Sequence, residues 1–132
     1  MRKIYCILSI LSFMLFLVAG CEHDINDSKQ NTNTINFTQV SNSVFSACVQ
    51  CHSSSAKSGG MDISAYENIV NAPSSENASF MRIKPSNPDS SYIYMKVTGA
   101  AGITGSKMPQ GGTLSADNIK LLSDWIKAGA IK

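Results

Sequence analysis

Cys48-Val49-Gln50-Cys51-His52 is the stretch on which the reading of this chain turns. Two thiols three positions apart lie about one helical turn from each other, and an imidazole follows at once. This C-x-x-C-H order is the attachment signal of a c-type haem: each thiol can form a thioether to a vinyl group, and the histidine can ligate the iron from the proximal side. Rival chemistries need what the chain does not offer. A thioredoxin-like C-x-x-C pair belongs to a βαβ context, and no such pattern surrounds this one. A structural zinc site takes four ligands, and an iron–sulfur cluster takes four thiolates. Beyond the pentad there are Cys6, Cys21 and His23, of which Cys6 and Cys21 belong to a processing signal. The bland alternatives are a chance motif or a plain disulfide.

That signal opens the chain. Arg2 and Lys3 form a short positive region, and Ile4 to Val18 is an apolar run broken by mild residues such as Ser9 and Ser12. A membrane-spanning helix needs about 20 apolar residues; this run is shorter and suits the core of a signal peptide. It ends in Leu17-Val18-Ala19-Gly20-Cys21, which resembles a bacterial lipobox. In such signals the cysteine is lipidated and becomes the first mature residue, and several acyl chains anchor stably where one is marginal. An ordinary signal peptide or an uncleaved anchor are the competing readings. Haem attachment in bacteria takes place outside the cytoplasmic membrane, so the pentad and the export signal agree. The expected location is a bacterial membrane, with the protein facing the periplasm or the cell surface.

Residues 1–20 are therefore read as signal peptide and 21–36 as tether. Glu22 to Asn36 is rich in Asn, Asp, Ser and Thr, with Ile25 and Ile35 as its large apolar residues, too few to order it. Residues 37–132 form one domain. The chain has 11 basic and 9 acidic residues, a net charge of +2. Arg2 and Lys3 account for that excess, so the mature chain is near neutral. No basic stripe points to nucleic acid, and no strong field steers a partner from a distance.

The domain reads as short helices and long loops, an all-α fold. Phe37, Val40, Val44, Phe45 and Cys48 recur at helical spacing. Asn36 or Ser41 caps this helix, Asn36-x-x-Gln39 resembling a capping box, and it is expected to run into the pentad. Ser64-Ala65-Tyr66-Glu67 resembles a second capping box, opening a helix through about Val70. Asp89 or Ser90 starts a third helix, through Val97. Gly99 to Gly112 holds five glycines and reads as loop. Ser115 caps the last helix, Ala116 to Ala128, with Ile119, Leu122 and Ile126 on one face, Leu121 and Trp125 beside it, and Gly129 as its stop.

A second iron ligand has to come from elsewhere. Met108-Pro109 lies in the glycine-rich loop, where the proline pushes Met108 away from helical geometry and suits a ligand presented from an extended segment. A neutral thioether favours ferrous iron and raises the potential. Methionines also fill gaps in cores, and Met61, Met81 and Met95 compete; His23 stands in the tether.

A helix leading into Cys48-Val49-Gln50-Cys51-His52, a Met108-Pro109 loop and an aromatic-bearing last helix together resemble a class I c-type cytochrome. More narrowly, the chain is similar to the small planctomycete-type cytochrome c domains. The matching stretches are Val44-Phe45-Ser46-Ala47-Cys48, Gly59-Gly60-Met61-Asp62-Ile63, Lys84-Pro85-Ser86-Asn87-Pro88-Asp89-Ser90-Ser91, Lys107-Met108-Pro109, and Leu114-Ser115 with Trp125-Ile126-Lys127-Ala128-Gly129-Ala130. Where that family often has a second proline after Met-Pro, this chain has Gln110. The resemblance implies one covalent haem c with His52 and Met108 as axial ligands. It also implies first and last helices packed through Phe45 and Trp125.

Three readings of function follow from this. The leading expectation is an electron carrier, not an enzyme, serving redox partner proteins from a lipid anchor at Cys21. The alternative is a haem enzyme or sensor of peroxide or gas with an open sixth position. Against it, the mature histidines are His23 and His52, and His52 is committed to iron, so no distal acid–base set is evident. A haem-bearing binding module in a larger surface complex is a third reading.

Overall fold

The computed structural model describes residues 34–132. The signal peptide, Cys21 with its lipobox, His23 and the tether as far as residue 33 lie outside the described residues.

Helix α1 (Phe37–Ser43) starts at a reciprocal cap. The Gln39 amide donates to Asn36 Oδ1 (3.0 Å), and the Asn36 amide donates to Gln39 Oε1 (2.9 Å). Two end N–H groups that no helical carbonyl can reach are thereby satisfied. Ile35 packs against the core, so the folded body takes in Ile35 and Asn36, which the sequence reading assigned to the tether. The helix does not run unbroken into the pentad as expected. At Val44 φ widens to −104°, and a tighter 3₁₀ turn, Phe45–Ala47, follows. The turn aims Phe45 inward, where it is 1% exposed.

The second expected helix is absent. Tyr66–Asn68 is a 3₁₀ turn, and Ala65 before it offers no side-chain cap. Asp62 explains the difference. Its Oδ1 accepts from the Ser64 hydroxyl (2.5 Å) and the Ser64 amide (2.9 Å), so the local turn captures the hydroxyl the cap required. The same two bonds, the hydroxyl first, hold the Asp62 carboxyl below the ordinary carboxylate range.

Pro88–Ser90 forms a further 3₁₀ turn, opened by the Ser90 amide donating to Asn87 Oδ1 (3.0 Å). Helix α2 (Tyr92–Thr98) follows, a little later than Asp89 or Ser90, and Gly99 ends it at φ 75° in the left-handed region. Helix α3 (Ala116–Lys127) begins where expected, the Asn118 amide donating to Ser115 Oγ (3.2 Å). Its buried stripe is Leu122, Trp125 and Ile126; Ile119, expected on the same face, is half-buried. Among the described residues extended pairing is confined to isolated bridges, so the all-α expectation is met.

The core forms where α3 packs against both α1 and α2. Trp125 is fully buried, with Phe45 edge-on at 6.4 Å and Phe37 tilted at 6.2 Å between ring centroids. These spacings suit aromatic pairs whose positive edges meet negative faces. The expected contact between first and last helical segments is thus made, with Phe45 contributing from the turn after α1. One carbonyl finishes the junction: Ile131 O accepts from the Phe37 amide (3.1 Å) and from Trp125 Nε1 (2.8 Å).

Candidate functional site

The pentad is wound as a single turn. The Cys51 amide donates to Cys48 O (3.1 Å), and the His52 amide to the same oxygen (2.9 Å). Both thiols are free; Cys48 is half-buried and Cys51 exposed. Burial, and secondarily the neighbouring Cys51, push the Cys48 thiol up.

His52 is held by a closed loop. The Ser58 amide donates to Cys51 O (3.0 Å), and the Ile63 amide to His52 O (2.9 Å). Gly59 and Gly60 turn this loop at φ 63° and 70°, a region that costs other residues strain. Inside it, His52 Nδ1 lies 2.9 Å from Ser58 O. A carbonyl can only accept, so Nδ1 carries the proton and the Nε2 lone pair is left for a metal. This is the usual arrangement behind a metal-ligating histidine.

Cys48, His52 and Met108 are brought together in the wall of one cleft. Met61, Ile63, Ile93 and Val97 make its walls mainly apolar. Cys51, on the exposed side of the turn, stands outside that wall. Of the competing methionines, Met61 shares the cleft, Met95 is buried in α2 outside it, and Met81 is 39% exposed on the surface. Met108 comes from the glycine-rich loop, its amide donating to Lys96 O on α2 (2.9 Å). The peptide to Pro109 is cis.

Polar residues that sequence reasoning did not single out also face the cleft: Glu76, Arg82, Tyr92 and Lys96. Arg82 ties three loops together, donating to Asn68 O (2.8 Å), Gly60 O (2.9 Å) and Ser75 Oγ (2.8 Å). One sequence signal for Lys96 existed, a lone lysine inside the otherwise apolar run Tyr92 to Val97. No group of three or more His, Cys, Asp or Glu side chains suited to a bare metal ion occurs among the described residues.

A mainly apolar cleft, two thiols at turn spacing, an imidazole with Nε2 free and a thioether on a separate segment fit a haem tethered to the chain. Such a frame is that of a small all-α haem protein. The cytochrome c family model matches residues 41–130, and the chain belongs to that family. No curated protein and no solved structure matches it. Membership carries covalently bound haem c and haem-based electron transfer with it.

Proposed function

We propose that this chain is a membrane-anchored cytochrome that passes single electrons through one haem c, joined to Cys48 and Cys51 and ligated by His52 and Met108. The observation that carries the reading is that His52 and Met108 line one cleft from segments far apart in the chain, with the imidazole already oriented by Ser58 O. Met61 is the weaker candidate. Its amide donates to Ser58 O (3.3 Å), the same carbonyl that holds His52, so its backbone is tied to the histidine's own loop. Met108 hangs instead from α2.

When bound, haem supplies an iron that cycles between ferrous and ferric states. The residues do the rest. His52 presents Nε2 in a fixed orientation through its Nδ1 partner. The Met108 thioether is neutral and favours the ferrous state. The mainly apolar walls suit the burial of a porphyrin face. His52 and Met108 would both be held on the iron and would leave no vacant position for substrate, which suits a carrier better than a catalyst. The lipobox ending at Cys21 supports anchoring to a bacterial membrane, facing the periplasm or the cell surface. The planctomycete-type stretches around Gly59-Gly60 and Lys84 to Ser91 support the narrower likeness. Its partners are redox proteins met at short range, since the mature chain is near neutral.

The test is carbon monoxide binding to the ferrous holoprotein made in a host with cytochrome c maturation. Wild type should bind it slowly, turn over peroxide poorly, and show the methionine-to-ferric-iron charge-transfer absorption. Met108→Ala should lose that absorption, lower the reduction potential and bind carbon monoxide readily. Wild type binding as fast as the variant would replace the carrier by a haem enzyme or sensor. The same changes in Met61→Ala alone would move the ligand.

A further inference from the structure

The segment that carries Met108 has little to hold it by itself. Residues 99–112 join α2 to α3 without helix or strand. Gly102 and Gly105, at φ 88° and 69°, flank its middle. Ordering such a segment is entropically costly, so the place of Met108 depends on outside contacts.

Those contacts converge on Thr104. Its amide donates to Tyr92 Oη (2.8 Å), and its carbonyl accepts from Lys96 Nζ (2.7 Å). Tyr92 and Lys96 are four residues apart on α2, hence on one face. Both also donate to a single oxygen, Glu76 Oε2, at 3.2 and 3.0 Å. The phenol thus uses its proton on Glu76 and a lone pair on Thr104, its full capacity along this line. Lys96 is 8% exposed, a state lysine adopts almost solely when paired. Its own carbonyl receives the Met108 amide. One residue of α2 therefore grips the loop at Thr104 and again at Met108.

We propose that Tyr92, Lys96 and Glu76 form a clamp that sets how firmly Met108 closes the iron, acting as positioning residues through Thr104. This rests on the reading of Met108 as the axial ligand. An intact clamp confines the loop to the conformation in which the thioether faces the cleft; a broken one lets the loop swing, and the sixth position opens more often. Three of the clamp's four side-chain hydrogen bonds, those made by Glu76 or Lys96, are charge-assisted and part-buried, the class whose loss is felt most.

The experiment measures the rate of carbon monoxide binding to ferrous holoprotein, with covalent haem and thermal unfolding checked for each variant. Lys96→Met should raise the rate about tenfold, equivalent to about 1.4 kcal/mol. Tyr92→Phe, which changes no charge, should raise it several-fold. Lys96→Arg, which can still donate to both Thr104 O and Glu76, should stay near wild type. If Lys96→Met does not fold, Tyr92→Phe decides. Lower melting temperatures with unchanged rates would mean ordinary structural support and would overturn the clamp. Met108→Ala, run in parallel, separates the two ideas. If it opens the iron while Lys96→Met and Tyr92→Phe do not, the clamp fails and the ligand stands. If it leaves the rate unchanged, the ligand assignment fails and takes the clamp with it.

Discussion

His52 illustrates how a single backbone carbonyl fixes the role of a side chain. With Nδ1 facing Ser58 O, the fold decides the tautomer of the neutral ring, which presents its other nitrogen in one orientation. The thiols act differently: they need reach and chemistry more than orientation. Cys48→Ala combined with Cys51→Ala should leave no haem on the denatured polypeptide, as read by haem staining after electrophoresis, whereas wild type keeps it. Stain persisting in the double variant would mean attachment elsewhere. The pentad offers a reading from sequence alone because its proposed chemistry sits in five consecutive residues. Ser64 was misread because its pattern with Glu67 is equally compatible with a turn, and the competing acceptor, Asp62, lies just upstream. A short motif states what a hydroxyl can bond, and the nearest acceptor decides what it does bond.

Helices α1 and α3 owe their legibility to caps and apolar spacing, both local properties. Asn36 with Gln39 and Ser115 with Asn118 form the bonds their sequences imply. Periodicity set Trp125 beside the apolar face of α3, whereas it belongs to the buried stripe with Leu122 and Ile126 where α3 meets α1 and α2. Trp125 is fully buried among aromatic rings and spends its N–H on Ile131 O. Trp125→Ala should cost about 3–5 kcal/mol, measured by denaturant unfolding of the holoprotein, and a cost near that of a surface substitution would show that α3 is not central to the core. The link between α2 and Glu76 had no sequence signature at all. Lys96 and Glu76 are 20 residues apart, with nothing in their spacing to join them. A lone lysine in an apolar helix says that a partner must exist, but the fold alone names it.

At the scale of the molecule, the proposed lipid anchor at Cys21 would leave a near-neutral mature chain localised by that anchor more than by its charge. Cys21→Ser should release it from the membrane fraction and abolish lipid labelling while leaving covalent haem in place; a wild type recovered in the soluble fraction without acyl mass would refute the lipobox. The folded body has its own closure. The carbonyl of Ile131 receives protons from Phe37 at the start of α1 and from the ring of Trp125 within α3. Opening of the whole junction would expose both protons. The Phe37 amide and the Trp125 indole should therefore show matching slow deuterium exchange, close to that of the most protected core amides, so that the first and last helices behave as one cooperative unit.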